Sequence, residues 1–168
     1  MTDTTTNDQL TPNTILVGEA LYAHAINLVI AQATTSLLIF DQDLSRGDYK
    51  STLRYQAVQQ FLSQSPQSKL TIILHQDAFL TTQCPRLMEL LLTYGHKMTV
   101  YITNDTARIA KDCFVIADDV HYVKRIHIEH ARFKYALDDA ESCAGLRMRF
   151  SELLEETSHT ISATQLGL

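Results

Sequence analysis

Three short runs in this chain are apolar at nearly every position: Leu37-Leu38-Ile39-Phe40, Leu70-Thr71-Ile72-Ile73-Leu74 and Cys113-Phe114-Val115-Ile116-Ala117. A strand with one solvated face alternates polar and apolar residues, whereas a continuous run needs apolar partners above and below. Runs of this kind therefore predict a sheet covered on both faces. The segments between them read at the helical period. Gly18 to Ala33 carries Leu21, Ala25, Leu28 and Val29 at that spacing. A second helix starts near Tyr49 with Leu53, Ala57, Val58, Phe61 and Leu62, and a third is opened by Pro85 with Leu87, Met88, Leu91 and Leu92 inward.

Met98, Val100 and Ile102 alternate with Thr99, Tyr101 and Thr103 in a further strand. Asp118-Asp119 is a turn signal between Cys113–Ala117 and a strand running from Val120 to about Ile128, which makes a β-hairpin. Asp138 and Glu141 have the spacing of an N-cap and its N3 partner, opening a closing helix that buries Cys143, Leu146, Phe150, Leu153 and Leu154. This order predicts an α/β fold: a mixed, mostly parallel sheet flanked by helices, then a hairpin and a C-terminal helix. One domain is expected over residues 14–158, between a disordered N-terminal tail (1–13) and a C-terminal tail (159–168).

Composition narrows the function classes. A chain of 168 residues buries a core without staples. Fourteen Lys+Arg against 19 Asp+Glu give a net charge of -5, which argues against coating nucleic acid by bulk charge. Cys84, Cys113 and Cys143 form no CxxC pair, so reduced thiols in a cytoplasmic protein are expected, without a zinc ribbon or redox couple. The start of the chain lacks a basic, apolar leader. Gly18, Glu19, His24, Asn27 and Gln32 interrupt the longest apolar stretch, so no membrane span is expected. GxxxxGK[ST], GxGxxG and GxSxG are all absent, and no cofactor is implied.

The order of elements resembles one half of a phospholipase D-like enzyme, over roughly residues 18–158. Phe150-Ser151-Glu152-Leu153-Leu154-Glu155-Glu156-Thr157 is similar to the family's closing-helix ending, with Leu154 where a Trp would lie. The family signature, His-x-Lys-x-x-x-x-Asp, sits on the strand that starts the hairpin. With Asp118 as its Asp, the His position falls on Lys111 and the Lys position on Cys113. The resemblance implies that the His would attack phosphorus and the Lys would hold phosphate oxygens. An ammonium group is a poor nucleophile, and a thiol supplies no charge for a phosphoryl oxyanion. A single half also lacks the second motif, and single-motif members of this fold commonly pair as homodimers. Short bacterial proteins of this architecture are similar in lacking the motif and in keeping an aromatic-x-x-Arg step, here Tyr122-Val123-Lys124-Arg125. The expectation is a non-catalytic binding or interaction module with no catalytic residue.

The candidate ligand is a phosphate-type anion. Strand alternation places His121, Arg125, His127 and Glu129 on one face, and an anion site is expected from His121, Arg125 and Lys111, with Asp118 beside them. The competing reading is a solvated strand face with Arg125 paired to Asp118 or Asp119. His75, with Asp41 and Asp43, falls at strand ends that rim one crevice in open α/β sheets. His127-x-x-His130 would point to opposite faces of an extended strand and lacks a third ligand, so no metal is expected. Two alternatives stay open: a phosphodiesterase or nuclease rebuilt on His121 or His75, and nucleic-acid binding through Lys124, Arg125, Arg132 and Lys134.

Overall fold

Leu37 and Ile39 point to one side of their strand and Leu38 and Phe40 to the other, and each pair meets a different apolar layer. In the computed structural model, which describes residues 10–163, the elements follow in the order β1 (Leu16–Val17), α1 (Glu19–Gln32), β2 (Ser36–Asp41), α2 (Thr52–Ser63), β3 (Lys69–Leu74), α3 (Ala78–Gln83), α4 (Pro85–Thr93), β4 (Met98–Thr103), β5 (Cys113–Ala117), β6 (His121–His127), β7 (His130–Ala136), α5 (Ala140–Glu155) and β8 (Thr157–Thr160). The strands form one eight-stranded sheet in the order β1-β7-β6-β5-β2-β3-β4-β8. Helices α1 to α4 supply the larger apolar layer, with Tyr22, Ile26, Val58, Phe61 and Leu87 among its members. Among the described residues α5 is the long helix on the opposite face, packing Cys143, Leu146, Phe150 and Leu153 on Leu38, Phe40, Ile73, Phe114 and Ile116.

The sheet is mixed and flanked by helices, as expected, but "mostly parallel" overstates its parallel share. Parallel pairing is confined to β2–β3 and β3–β4; the pairs β2–β5, β5–β6, β6–β7, β1–β7 and β4–β8 are antiparallel. The reason is a second reversal in the chain. In sequence one strand extends to Ile128, because Ile128-Glu129 carries no Gly, Pro or Asn turn signal. The chain nevertheless turns there, and β7 returns beside β6. The Asp118-Asp119 hairpin does form, with φ 53° and 57° and a Val120 N–H donated to the Ala117 carbonyl. Two successive left-handed residues match the twist of the strands they join.

Smaller differences have local causes. The cap of α5 is Asp139, whose carboxylate accepts the Ser142 N–H, rather than Asp138. In α2 the buried stripe is Arg54, Val58, Phe61 and Leu62, while Leu53 is exposed. Residues 1–9 and 164–168 of the expected tails lie outside the described residues. The Asn13 N–H donates to the Tyr135 carbonyl, and β8 extends past the boundary expected at residue 158. No helix is long and apolar enough to cross a membrane among the described residues.

Candidate anion-binding site

The five residues expected to converge are distributed over both faces and both ends of the sheet. Register fixes this: Cys113 faces Arg125 across β5–β6, while Ala117 faces His121 at the hairpin end. Asp118 therefore lies a full strand length from Lys111. Its carboxylate accepts the N–H groups of Thr34, Thr35 and Ser36 at 2.8–2.9 Å and both threonine hydroxyls. Burial raises its pKa, but these hydrogen bonds favour the charged form more strongly, and the net displacement is downward. Asp118 latches the start of β2 to the end of β5.

Arg125 is 1% exposed and faces the α1 layer. Its guanidinium makes a bidentate pair with Glu19, 2.8 Å at each nitrogen, and donates to the carbonyls of Ile128 and His127. It also lies over the Tyr22 ring, 5.0 Å from its centroid. The expected partners Asp118 and Asp119 are thus replaced by a glutamate far away in sequence. Arg125 is not on a solvated strand face either, because α1 covers that side. The Arg125 hydrogen bonds hold the Glu19 carboxyl below its usual range.

Cys113, at the position the resemblance gives to a phosphate-holding Lys, is wholly buried beside Asp41, and burial pushes its thiol well up. Burial also lifts Asp41 to about 6, opposed by the N–H groups of Leu44 and Asp43 and by the Cys113 thiol. His121 is buried, with Nδ1 accepting the Asp138 N–H. His75 donates from Nε2 to the Ala110 carbonyl at 2.8 Å, so Nδ1 accepts from the Thr103 hydroxyl at 2.7 Å. Burial lowers its pKa. Gln42 donates to the carbonyls of Ala110 and Asp112. Together His75 and Gln42 fix the loop that carries Lys111.

Of the five residues expected at the anion site, Lys111 opens onto a groove. A groove of about 680 Å³ runs along the α5 face where that helix no longer covers the sheet. Alternation explains its lining: Tyr122 and Ala136 lie under α5, and one step along the strands the same face presents Lys124 and its register partner Lys134. Exposed Ile15, Ile109 and Ile126 give the groove apolar ground. Arg149 reaches Asp112 at 2.6 and 3.0 Å, so this pair is neutral overall. None of Lys111, Lys124 and Lys134 joins an ion pair among the described residues. The sequence offers Lys124 and Lys134 as nucleic-acid contacts alongside Arg125 and Arg132; their ten-residue separation across the second turn is the signal that joins the two lysines. Nothing in the sequence announces Glu19 or the Asp112–Arg149 pair.

His127 and His130 face each other across the second hairpin turn, ring centroids 5.5 Å apart, rather than on opposite faces of one strand. No group of three or more His, Cys, Asp or Glu side chains is placed to hold a metal among the described residues.

The model of one family, described as a domain of unknown function (DUF7931), matches residues 18–165. The chain belongs to that family. No curated protein matches it in sequence. Solved structures supply the fold likeness. Nuc from Salmonella typhimurium, a phospholipase D family member, superposes with a TM-score of 0.62 at 9% identity, over 89% of this chain and 98% of Nuc. NucT from Helicobacter pylori gives 0.54 at 15% identity, over 86% of this chain and 96% of NucT. TrmBL2, an archaeal chromatin protein described as having a novel mode of DNA binding, gives 0.65 at 10% identity over 86% of this chain. The chain spans about half the length of TrmBL2, 52% of it. The fold is phospholipase D-like.

Proposed function

We propose that this chain is a non-catalytic phospholipase D-like module that binds a phosphate-bearing anion in the groove of Lys111, Lys124 and Lys134. The carrying observation is that three lysines without ion pairs meet over one apolar-floored groove in a chain whose net charge is -5. The degenerate signature supports the non-catalytic part. Lys111 stands for its His and Cys113 for its Lys, with Cys113 buried and the neighbouring Arg125 consumed by Glu19. His121 and His75, the alternative bases of a rebuilt phosphodiesterase, are each committed to backbone hydrogen bonds. The three free, buried cysteines fit the reducing bacterial cytoplasm in this reading. Neither a metal nor a cofactor enters it.

The test separates the ligand from the chemistry. Inorganic phosphate at millimolar concentration raises the melting temperature, and the Lys111→Ala/Lys124→Ala/Lys134→Ala variant loses most of that rise. Bis(p-nitrophenyl) phosphate is hydrolysed no faster than background. Turnover abolished by His121→Ala or His75→Ala would replace this reading with the phosphodiesterase. A nucleic-acid source of the phosphate is favoured by the DNA-binding description of TrmBL2. It requires an oligonucleotide to bind more tightly than phosphate, with affinity falling steeply as salt rises.

A further inference from the structure

A second basic site lies on the other side of the sheet, around an arginine that the groove does not involve. Arg54 sits in the first turn of α2 and is wholly buried. Its Nε donates to the Asn27 side-chain oxygen at 2.7 Å and its Nη2 to the Ala23 carbonyl at 3.1 Å. The Tyr49 ring stacks on it, 4.4 Å from Cζ to the centroid. No carboxylate forms an ion pair with it among the described residues. Buried charges are normally paired, because an uncompensated ion loses its hydration without return. Arg125 on β6 obeys that rule through Glu19; Arg54 does not.

Two more observations point the same way. Arg54 Nη1 and the Tyr49 hydroxyl are the buried side-chain polar atoms left without a hydrogen-bond partner among the described residues. They belong to one stacked pair. Native proteins rarely leave such groups unmatched without a ligand, ion or water to answer them. Beside the pair, a cavity of about 340 Å³ opens between the start of α1 and residues 45–50, with Tyr49 and Ala23 in its wall. Arg46 and Lys50 stand exposed at its mouth and join no ion pair among the described residues. Of the two carboxylates there, Glu19 is paired with Arg125, which leaves Asp48 as one carboxylate against the three cations Arg46, Lys50 and Arg54.

The loop over this cavity is built to hold Tyr49 in place. Gly47 and Asp48 both adopt left-handed backbone, φ 84° and 60°. A Cβ at Gly47 would meet Ile26 at 2.7 Å and Tyr22 and Tyr49 at 3.2 Å, so glycine lets the loop settle on α1. Tyr49 thereby covers Arg54 and forms the boundary between it and the cavity.

We infer that this cavity binds a small phosphate, with Arg46 and Lys50 at its mouth and the unpartnered Tyr49 hydroxyl as the deep partner, backed by the Arg54 charge stacked on its ring. The inference is independent of the groove and is tested with the groove's lysines removed. Inorganic phosphate is titrated into the Lys111→Ala/Lys124→Ala/Lys134→Ala protein, with potassium chloride of equal ionic strength as the reference. The expected result is a saturable rise in melting temperature above the chloride reference. Adding Arg46→Ala and Lys50→Ala weakens the apparent affinity about tenfold or more, as the loss of charge-assisted contacts demands. Both substitutions are on the surface and leave the fold intact. A flat response, or one that survives Arg46→Ala/Lys50→Ala, overturns the site. Tyr49→Phe keeps the ring over Arg54 and removes the unpartnered hydroxyl; affinity unchanged by it overturns the assignment of the deep partner.

Discussion

Lys124 and Arg125 are adjacent in sequence, and the sheet between them decides what each can do. Arg125 points under α1, is stripped of water, and is held by Glu19 and two carbonyls. Lys124 points to the α5 face beyond the reach of that helix and keeps its charge available beside Lys111 and Lys134. The same local basicity is a structural tie on one face and a ligand-ready surface on the other. Coverage by helices, four against one, makes the difference.

The strongest way to break this contrast is to free Arg125. Glu19→Ala leaves a buried guanidinium with carbonyls only; because the Glu19 side chain is itself 48% exposed, the loss should be about 2 kcal/mol in urea denaturation. Because Glu19 titrates below its usual range, its contribution is present above that range and is lost as pH falls through the lowered value. A loss under about 1 kcal/mol would mean that water already reaches Arg125 and that the two faces differ less than their burial implies.

Asp41 gives the opposite sign on the same buried side. Its folded value of about 6 lies above the reference of 3.8, so the folded state binds more protons between these values and stability falls as pH rises through that window. Asp41→Asn keeps an acceptor for the Leu44 and Asp43 N–H groups and removes the buried charge. It should flatten that pH dependence and stabilise the protein at neutral pH by no more than about 3 kcal/mol. Chemical denaturation at several pH values measures both.

Asp118→Ala deletes a five-bond latch between β2 and β5, with an expected cost of about 2 kcal/mol. That stability too disappears as pH falls through its lowered pKa. On the open face the effects on folding should nearly vanish. Lys124→Ala and Lys134→Ala should each change stability by under about 0.5 kcal/mol, while the phosphate response drops. A large folding defect there would show that the lysines are structural.

The sequence carried the sheet and the helix order because continuous apolar runs and helical stripes are local signals. Leu37–Phe40 and Cys113–Ala117 could hardly be anything but doubly covered strands. The turn at Ile128-Glu129 was hidden because ordinary residues make it, and that single omission joined β6 and β7 and concealed the Lys124–Lys134 pairing. Arg54 was invisible as a core residue because its place in the α2 stripe was assigned to Leu53, and an arginine in an apolar stripe has no local signature. The site candidates were drawn from one strand. Their separation reflects register and side alternation, quantities that depend on partners distant in the chain: Glu19 for Arg125, Thr34 to Ser36 for Asp118, Thr103 and Ala110 for His75.

The two margins of the sheet set a practical limit on shortening this protein. β1 contributes only two residues to one edge and β8 only four to the other. Each caps a longer strand, β7 and β4 respectively. Cutting before Leu16 to Val17 is removed would keep that pairing; cutting past it would unpair Arg132 and Phe133 and leave the seven-residue β7 without a strand on that side. Ending at residue 158, the boundary that composition suggests, would strip half of β8 from the six-residue β4. Exposed strands of that length recruit other strands. Short as they are, β1 and β8 are guards against polymerisation, and shortened chains that omit them should be soluble only at low concentration.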